Sequence, residues 1–216
     1  MLRAKSAVSM SPKGKFLAAG EVIGGSFVIE ELIGHGGMGC VYRARDKDQN
    51  PVALKILLRR EEDESDWEES AKRLRDEGRA MAAVENAALV HVISRGEDHT
   101  YGPYVVLELL LGDSLRQRLK SSAGKMSWNE VLEKVARPML QALAALHAAG
   151  IVHRDVKPEN LFDSGNGTYK LGDLGLASFA GREAHTKTGA LVGTPKYLAP
   201  ERLCTADEDT AAVDVY

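Results

Sequence analysis

Cysteine is almost absent from this chain: Cys40 and Cys204 are its only two among 216 residues. Two thiols at that separation match no metal-ligand or redox spacing and are too few for a disulfide framework, which suits a reducing cytosol. Long apolar runs are missing as well. Tyr104 to Leu111 is among the longest and is interrupted by Glu108, whereas a bilayer span needs roughly 20 apolar residues. Neither sign of charge dominates, since 28 Lys and Arg stand against 31 Asp and Glu. A net charge of -3 gives no global basic field for nucleic acid and no acidic excess of the kind that keeps a chain disordered. The first twenty residues carry Arg3, Lys5, Lys13 and Lys15 without an acid, yet lack the continuous apolar centre of a secretory signal. Residues 1–24 therefore read as a flexible basic leader. What remains is long enough to bury a core without staples and shows no internal repeat.

Two patterns of periodicity divide the remainder. From Phe27 to Ile33, Cys40 to Ala44 and Val52 to Leu57, β-branched and aromatic residues alternate around a glycine cluster and the turn Asp46 to Pro51. These segments predict three antiparallel strands. Trp67, Ala71, Leu74, Gly78 and Met81 then recur at helical spacing, so one helix follows. Strands are expected again at Leu89 to Ile93 and Tyr104 to Leu109, around a turn at Gly102 and Pro103. Beyond Gly112 the pattern becomes helical. Ser127 and Glu130 stand at capping-box spacing, and Val131, Leu132, Val135, Met139, Leu143 and Leu146 form a stripe ending near Gly150. Pro138 inside that stripe predicts a kink. Residues 151–171 read as loop and short strand, a setting that holds reactive groups rigid yet accessible. The fold class is α+β, with a sheet-rich part at 25–109 and a helical part at 110–216.

The densest chemistry lies at His153 to Asn160, HRDVKPEN, which places a base, a phosphate-binding cation and a magnesium ligand within eight residues. Asp173, thirteen residues after Asn160, supplies a second carboxylate for metal. Together they point to phosphoryl transfer from ATP to a hydroxyl. Upstream, Gly34, His35, Gly36, Gly37, Met38, Gly39, Cys40 and Val41 fit GxGxxGxV between two predicted strands, where backbone amides could approach phosphates. A glycine cluster between strands is more often a plain hairpin, and a strand after the loop argues against a dinucleotide fold, which needs a helix there. Lys55 follows in Val52-Ala53-Leu54-Lys55, fourteen residues after Val41.

In this order the motifs resemble the protein kinase family, its serine/threonine branch, and GHGGMGCVYRARD and TKTGALVGTPKYLAPE are similar in style to bacterial members. The resemblance covers about Phe27 to Tyr216 and implies a bilobal fold, with a small antiparallel sheet and one helix in the first lobe and a mainly helical second lobe. It implies ATP and Mg2+ as cofactors and Ser or Thr hydroxyls of a protein as acceptors. Asp155 would orient the acceptor hydroxyl and take its proton. Lys157 would offset charge on the transferred group, Asn160 would hold one magnesium ion, and Asp173 would bridge both. Lys55 would bind the α- and β-phosphates, with Glu77 as its ion-pair partner and Asp76 as the competitor. Ile33, the glycine loop, Val41, Ala53, Glu108, Leu110 and Phe162 would surround the nucleotide, the backbone of Glu108 to Leu110 meeting the adenine edge. His153 is expected to pack rather than react. Arg154 would pair with a phosphate added at Thr186 or Thr188 in the segment that ends at Glu201, and Thr194 reads as a substrate-site hydroxyl.

The pattern departs from the family in three places. Asn86-Ala87 stands where many members have His-Pro, and Leu174 replaces a more common phenylalanine. The sequence also stops at Asp214-Val215-Tyr216, where the family begins a buried central helix, so a shortened second lobe is expected. Asp214 would brace the HRD turn in the family, although three residues sustain no helix alone. Uncovered apolar faces on the 127–149 helix then imply marginal stability or association with another surface, self-association included. Two functions follow: a cytoplasmic Ser/Thr kinase with intact catalytic residues, or a non-catalytic remnant that binds nucleotide or a partner. Small-molecule phosphotransferases fit less well, because Arg154 and Lys157 are protein-kinase features.

Overall fold

The computed structural model describes residues 16–36, 39–57, 64–121, 125–172, 178–179, 195–197, 199–201 and 210–216. The chain divides into two compact units, one made by residues up to 74 with 94–106, the other by 75–93 with 107–216.

In the first unit, β1 (Val22–Ile23), β2 (Phe27–Gly36), β3 (Gly39–Arg45) and β4 (Pro51–Ile56) form consecutive antiparallel pairs. With β5 (Val92–Asp98) and β6 (Gly102–Glu108) they make a six-stranded sheet in the order β1-β2-β3-β4-β6-β5. Strict alternation along β3 sends Cys40, Tyr42 and Ala44 into a core with Ile23, Ile29, Val52, Leu54, Ile56, Tyr104 and Val106. Tyr42 is wholly buried, its hydroxyl accepts the Leu17 N–H at 3.0 Å, and burial pushes its phenol up to about 12. Asp46 closes the expected turn between β3 and β4 by accepting the N–H groups of Asp48 and Asn50.

The helix read from the Trp67 to Met81 stripe is α1 (Glu64–Ala82), and Ala71, Leu74, Gly78 and Met81 are buried along it. The next expected strand is displaced. Residues 89–90 do not run in the sheet; Val90 N–H donates to the Leu171 carbonyl, Leu171 N–H donates to that of Ala88, and β5 begins only at Val92. The polar run Ser94 to Asp98 forms a strand because one side of it is half-buried and the other exposed. Asp98 Oδ1 then caps the turn through the N–H groups of Thr100 and Tyr101.

After β6 the helices resume with α2 (Leu115–Ser121). The capping box closes on α3 (Trp128–Glu130): Ser127 Oγ accepts the Glu130 N–H at 3.2 Å, and Glu130 Oε2 accepts the Ser127 N–H at 3.1 Å. The expected kink at Pro138 is replaced by a π-helical stretch, Val131–Ala136, leading into α4 (Arg137–Ala148). Pro138 has no N–H to give the preceding turn, and the Arg137 N–H reaches back to Leu132, an i→i−5 bond. The wider turn rotates what precedes it. Met139, Leu143 and Leu146 are buried, while Leu132 of the same predicted stripe is exposed. Short strands follow: β7 (Ile151–Val152) pairs with β10 (Ser178–Phe179), and β8 (Leu161–Asp163) with β9 (Tyr169–Leu171). Ile151 of β7, Leu161 of β8 and Tyr169 and Leu171 of β9 join α4, Met81, Leu89 and Val90 in one core. Residues Ala211–Asp214 form a 3-10 turn rather than an α-helix, with Val213 packed on Val152 and Ala199.

Candidate active site

In the first unit, pairing places Gly34 opposite Val41 and Val41 opposite Lys55. Directly paired residues share a face, and so do residues two apart on one strand, so Val41, Ala53 and Lys55 lie on the face away from the Cys40–Tyr42–Ala44 core. Lys55 is nevertheless only 7% exposed. Ile33 and His35 are exposed on β2, and Gly34 is half-buried. Gly39 has φ +120°, and a Cβ there would stand 2.5 Å from the Ile56 carbonyl oxygen, so the loop re-enters β3 through a position only glycine fills without displacement. Gly37 and Met38 lie outside the described residues.

Glu77 on α1 is 5% exposed, whereas the alternative acid Asp76 is half-buried and stands 3.7 Å from Arg79. Of the two candidates, Glu77 is the buried charge.

The HRDVKPEN segment belongs to the second unit and starts from β7. His153 is fully buried. Its Nδ1 accepts the Asp155 N–H at 3.2 Å, which puts its proton on Nε2, 3.2 Å from the Gly172 carbonyl. The imidazole thus ties the start of the loop to the residue before Asp173. Arg154 is buried with φ +70°, a left-handed conformation uncommon for a side chain of its size. Asp214 holds it there, since Oδ2 accepts the His153 N–H at 2.8 Å and Oδ1 accepts the Arg154 N–H at 2.6 Å. The 3-10 turn at 211–214 therefore suffices for the brace. A third donor, His147 Nε2 at the end of α4, meets Asp214 Oδ2 at 2.8 Å.

That anchorage aims Asp155. Its Oδ2 accepts Lys157 Nζ at 2.7 Å and Asn160 Nδ2 at 3.1 Å, and its carbonyl accepts Asn160 Nδ2 at 2.8 Å. Oδ1 takes no hydrogen bond among the described residues, so one carboxylate oxygen is fixed and the other remains for an incoming hydroxyl. Because the Asn160 amide nitrogen is engaged twice, its oxygen is the group left over. The Asn160 carbonyl in turn accepts the Gly172 N–H at 2.9 Å. A hard cation such as Mg2+ takes oxygen ligands, and the neutral Asn160 amide oxygen fits that preference. Asp173, Thr186 and Thr188 lie outside the described residues.

The protein kinase domain family model matches residues 27–216. The chain belongs to the protein kinase family. It is 40% identical over 191 residues to the serine/threonine-protein kinase PknL of Mycobacterium tuberculosis, a stretch covering 88% of this chain and 46% of PknL. PknA of the same species is 35% identical, covering 96% of this chain and 47% of its own length. The probable serine/threonine-protein kinase pknA2 of Bifidobacterium longum is 35% identical over 91% of this chain and 26% of its own. The chain thus spans about half or less of the length of these relatives. Among the described residues no helix is long and apolar enough to cross a membrane.

Within this kinase chain, the remaining expected nucleotide contacts sit on the second unit. Glu108, Leu110 and Phe162 are all half-buried. Phe162 on β8 pairs with Lys170 on β9, and a Cβ on Gly172 would stand 3.3 Å from its ring. Sequence reasoning missed His147 and Lys170, because a single histidine at a helix end and a single lysine in a strand carry no periodic signal.

Proposed function

We propose that this chain transfers the γ-phosphate of ATP to Ser or Thr hydroxyls of proteins. The observation that carries the reading is the Asp155 carboxylate, with Oδ2 fixed by Lys157 and Asn160 and Oδ1 left to meet a hydroxyl. In the proposed step the acceptor oxygen forms a bond to the γ-phosphorus, the bond from that phosphorus to the β–γ bridging oxygen breaks, and its electron pair leaves with ADP. Asp155 takes the hydroxyl proton. Lys157, 2.7 Å from Asp155, offsets charge growing on the transferred group. Magnesium, when bound by the Asn160 amide oxygen and Asp173, would screen the phosphate charge.

Lys55 and Glu77 would carry the phosphate-binding and counter-charge roles that the family assigns, and the burial of each on its own element supports this, because buried charges need partners. The glycine loop, Ile33, Val41 and Ala53 would cover the nucleotide, and the Glu108–Leu110 backbone with Phe162 would hold the base, the two parts of the chain at 25–109 and 110–216 acting as lobes. Phosphorylation at Thr186 or Thr188, received by Arg154, is proposed as the activating event. A cytoplasmic location, where ATP is supplied, belongs to the same reading.

The test compares phosphate transfer from Mg-ATP to a generic Ser/Thr protein substrate by this chain and by Asp155→Asn. Transfer by the first alone is expected, and equal signals would sink the reading. Mass spectrometry of the active protein should find phosphate on Thr186 or Thr188; finding both bare would remove the activation proposal.

A further inference from the structure

Three segments of the second unit converge on one carboxylate. Glu108 Oε1 accepts the His91 N–H at 2.8 Å and Lys170 Nζ at 2.5 Å, while the Glu108 N–H donates to the His91 carbonyl at 3.0 Å. An ordinary antiparallel exchange would send the His91 N–H to the Glu108 carbonyl. Here the side chain takes that bond, and the carbonyl is left out of the exchange. The ion pair is substantially shielded, with side-chain exposures of 20% for Lys170 and 27% for Glu108. Lys170 is also anchored by its strand: neighbouring Leu171 exchanges bonds with Ala88 and Val90, and Lys170 itself stands opposite Phe162. Directly opposed residues project to one face, so the lysine stem lies alongside the phenylalanine proposed to support the base.

We infer that Lys170 is a positioning residue for nucleotide selection: by holding the Glu108 carboxylate against His91, it keeps the Glu108 carbonyl and the following backbone free and aimed at the base edge. The inference rests on the proposed nucleotide site and adds to it a residue that touches no nucleotide atom. A carbonyl so aimed accepts from an exocyclic amine, as adenine presents, and repels the carbonyl that guanine presents at the same place. Loss of Lys170 should therefore act on the base and leave the phosphates alone.

The experiment measures dissociation constants of the chain for Mg-ATP, Mg-GTP and Mg-tripolyphosphate, which has no base, in the wild type, Lys170→Met and Lys170→Arg. The expected result is roughly tenfold weaker ATP binding by Lys170→Met, unchanged tripolyphosphate binding, a smaller ATP-to-GTP ratio, and recovery by Lys170→Arg, whose guanidinium can still meet Glu108. Equal weakening toward ATP and tripolyphosphate would assign Lys170 a merely structural role and overturn the inference. So would ATP binding by Lys170→Met at the wild-type level. A wild-type chain that binds none of the three overturns the nucleotide reading itself, an outcome distinct from the other two because it appears before any substitution is made.

Discussion

His147 Nε2 meets Asp214 Oδ2 at 2.8 Å across 67 residues of sequence. The Asp214 side chain is fully buried and also accepts two backbone N–H groups of the HRD turn. A buried carboxylate needs every donor it can gather, and the one histidine completes a set that the backbone begins.

His147→Ala should lower stability by about 1–2 kcal/mol through loss of a charge-assisted hydrogen bond, with His147→Asn recovering part of it. Asp214→Ala should cost more, because it strands the His153 and Arg154 N–H groups and releases Arg154 from φ +70°. Urea unfolding of the three variants gives the ranking. If Asp214→Ala matched His147→Ala, the backbone brace would not be the larger element.

Asp155 and Asn160 should separate in their metal dependence. Asp155→Asn removes the proton acceptor and is expected to reduce phosphate transfer by roughly 10²–10⁴-fold at any Mg2+ concentration. Asn160→Ala removes both Nδ2 bonds to Asp155 and the amide oxygen together. Its transfer rate should fall too, but rise again as Mg2+ is increased. Rate measured against Mg2+ for each variant distinguishes the two.

Gly39→Ala should disturb the glycine loop through the backbone alone. At φ +120° with the Ile56 carbonyl oxygen 2.5 Å from the new Cβ, the substitution strains the hairpin whichever way it relaxes. A cost of about 1–3 kcal/mol is expected, read as a lower melting temperature. Gly34→Ala, whose Cβ would meet only Val41 at 3.9 Å, is the control and should melt near the wild type.

What could be read in advance follows from how local each arrangement is. Asp155, Lys157 and Asn160 are neighbours in sequence and in space, so their clustering was legible as a string. The Gly34–Val41–Lys55 row was legible in part, because strand alternation decides faces once the pairing is known. His147 with Asp214 and Lys170 with Glu108 are separated by 67 and 62 residues, and nothing in either pair's composition announces the other. The π-helical stretch was hidden for another reason. Pro138 signals a lost hydrogen bond, but whether the chain kinks or widens a turn depends on the packing of Met139, Leu143 and Leu146. The displaced strand at 89–91 was lost to the same competition, since Val90 bonds to Leu171, far along the chain, rather than within the sheet.

The capping box makes the helical segment from Ser127 sensitive to acid in a predictable direction. Glu130 sits below the ordinary carboxylate value of 4.5, chiefly because its carboxylate accepts the Ser127 backbone N–H, then the Ser127 hydroxyl, with Lys134 and Arg118 adding to the effect. A carboxyl whose value is depressed in the folded state favours folding while it is ionised. Its contribution is therefore complete above about pH 4.5 and disappears as pH falls through the depressed folded value. Ser127→Ala should cost about 1 kcal/mol at neutral pH, and Glu130→Gln should also destabilise there, since a neutral amide accepts the same bonds more weakly. On acidification the gap between wild type and Glu130→Gln should close, because the wild-type carboxyl becomes neutral as well. Urea midpoints for the pair at pH 7 and at successive steps below pH 4.5 measure it. A gap that stayed constant throughout would mean that Glu130 acts through packing rather than through its charge.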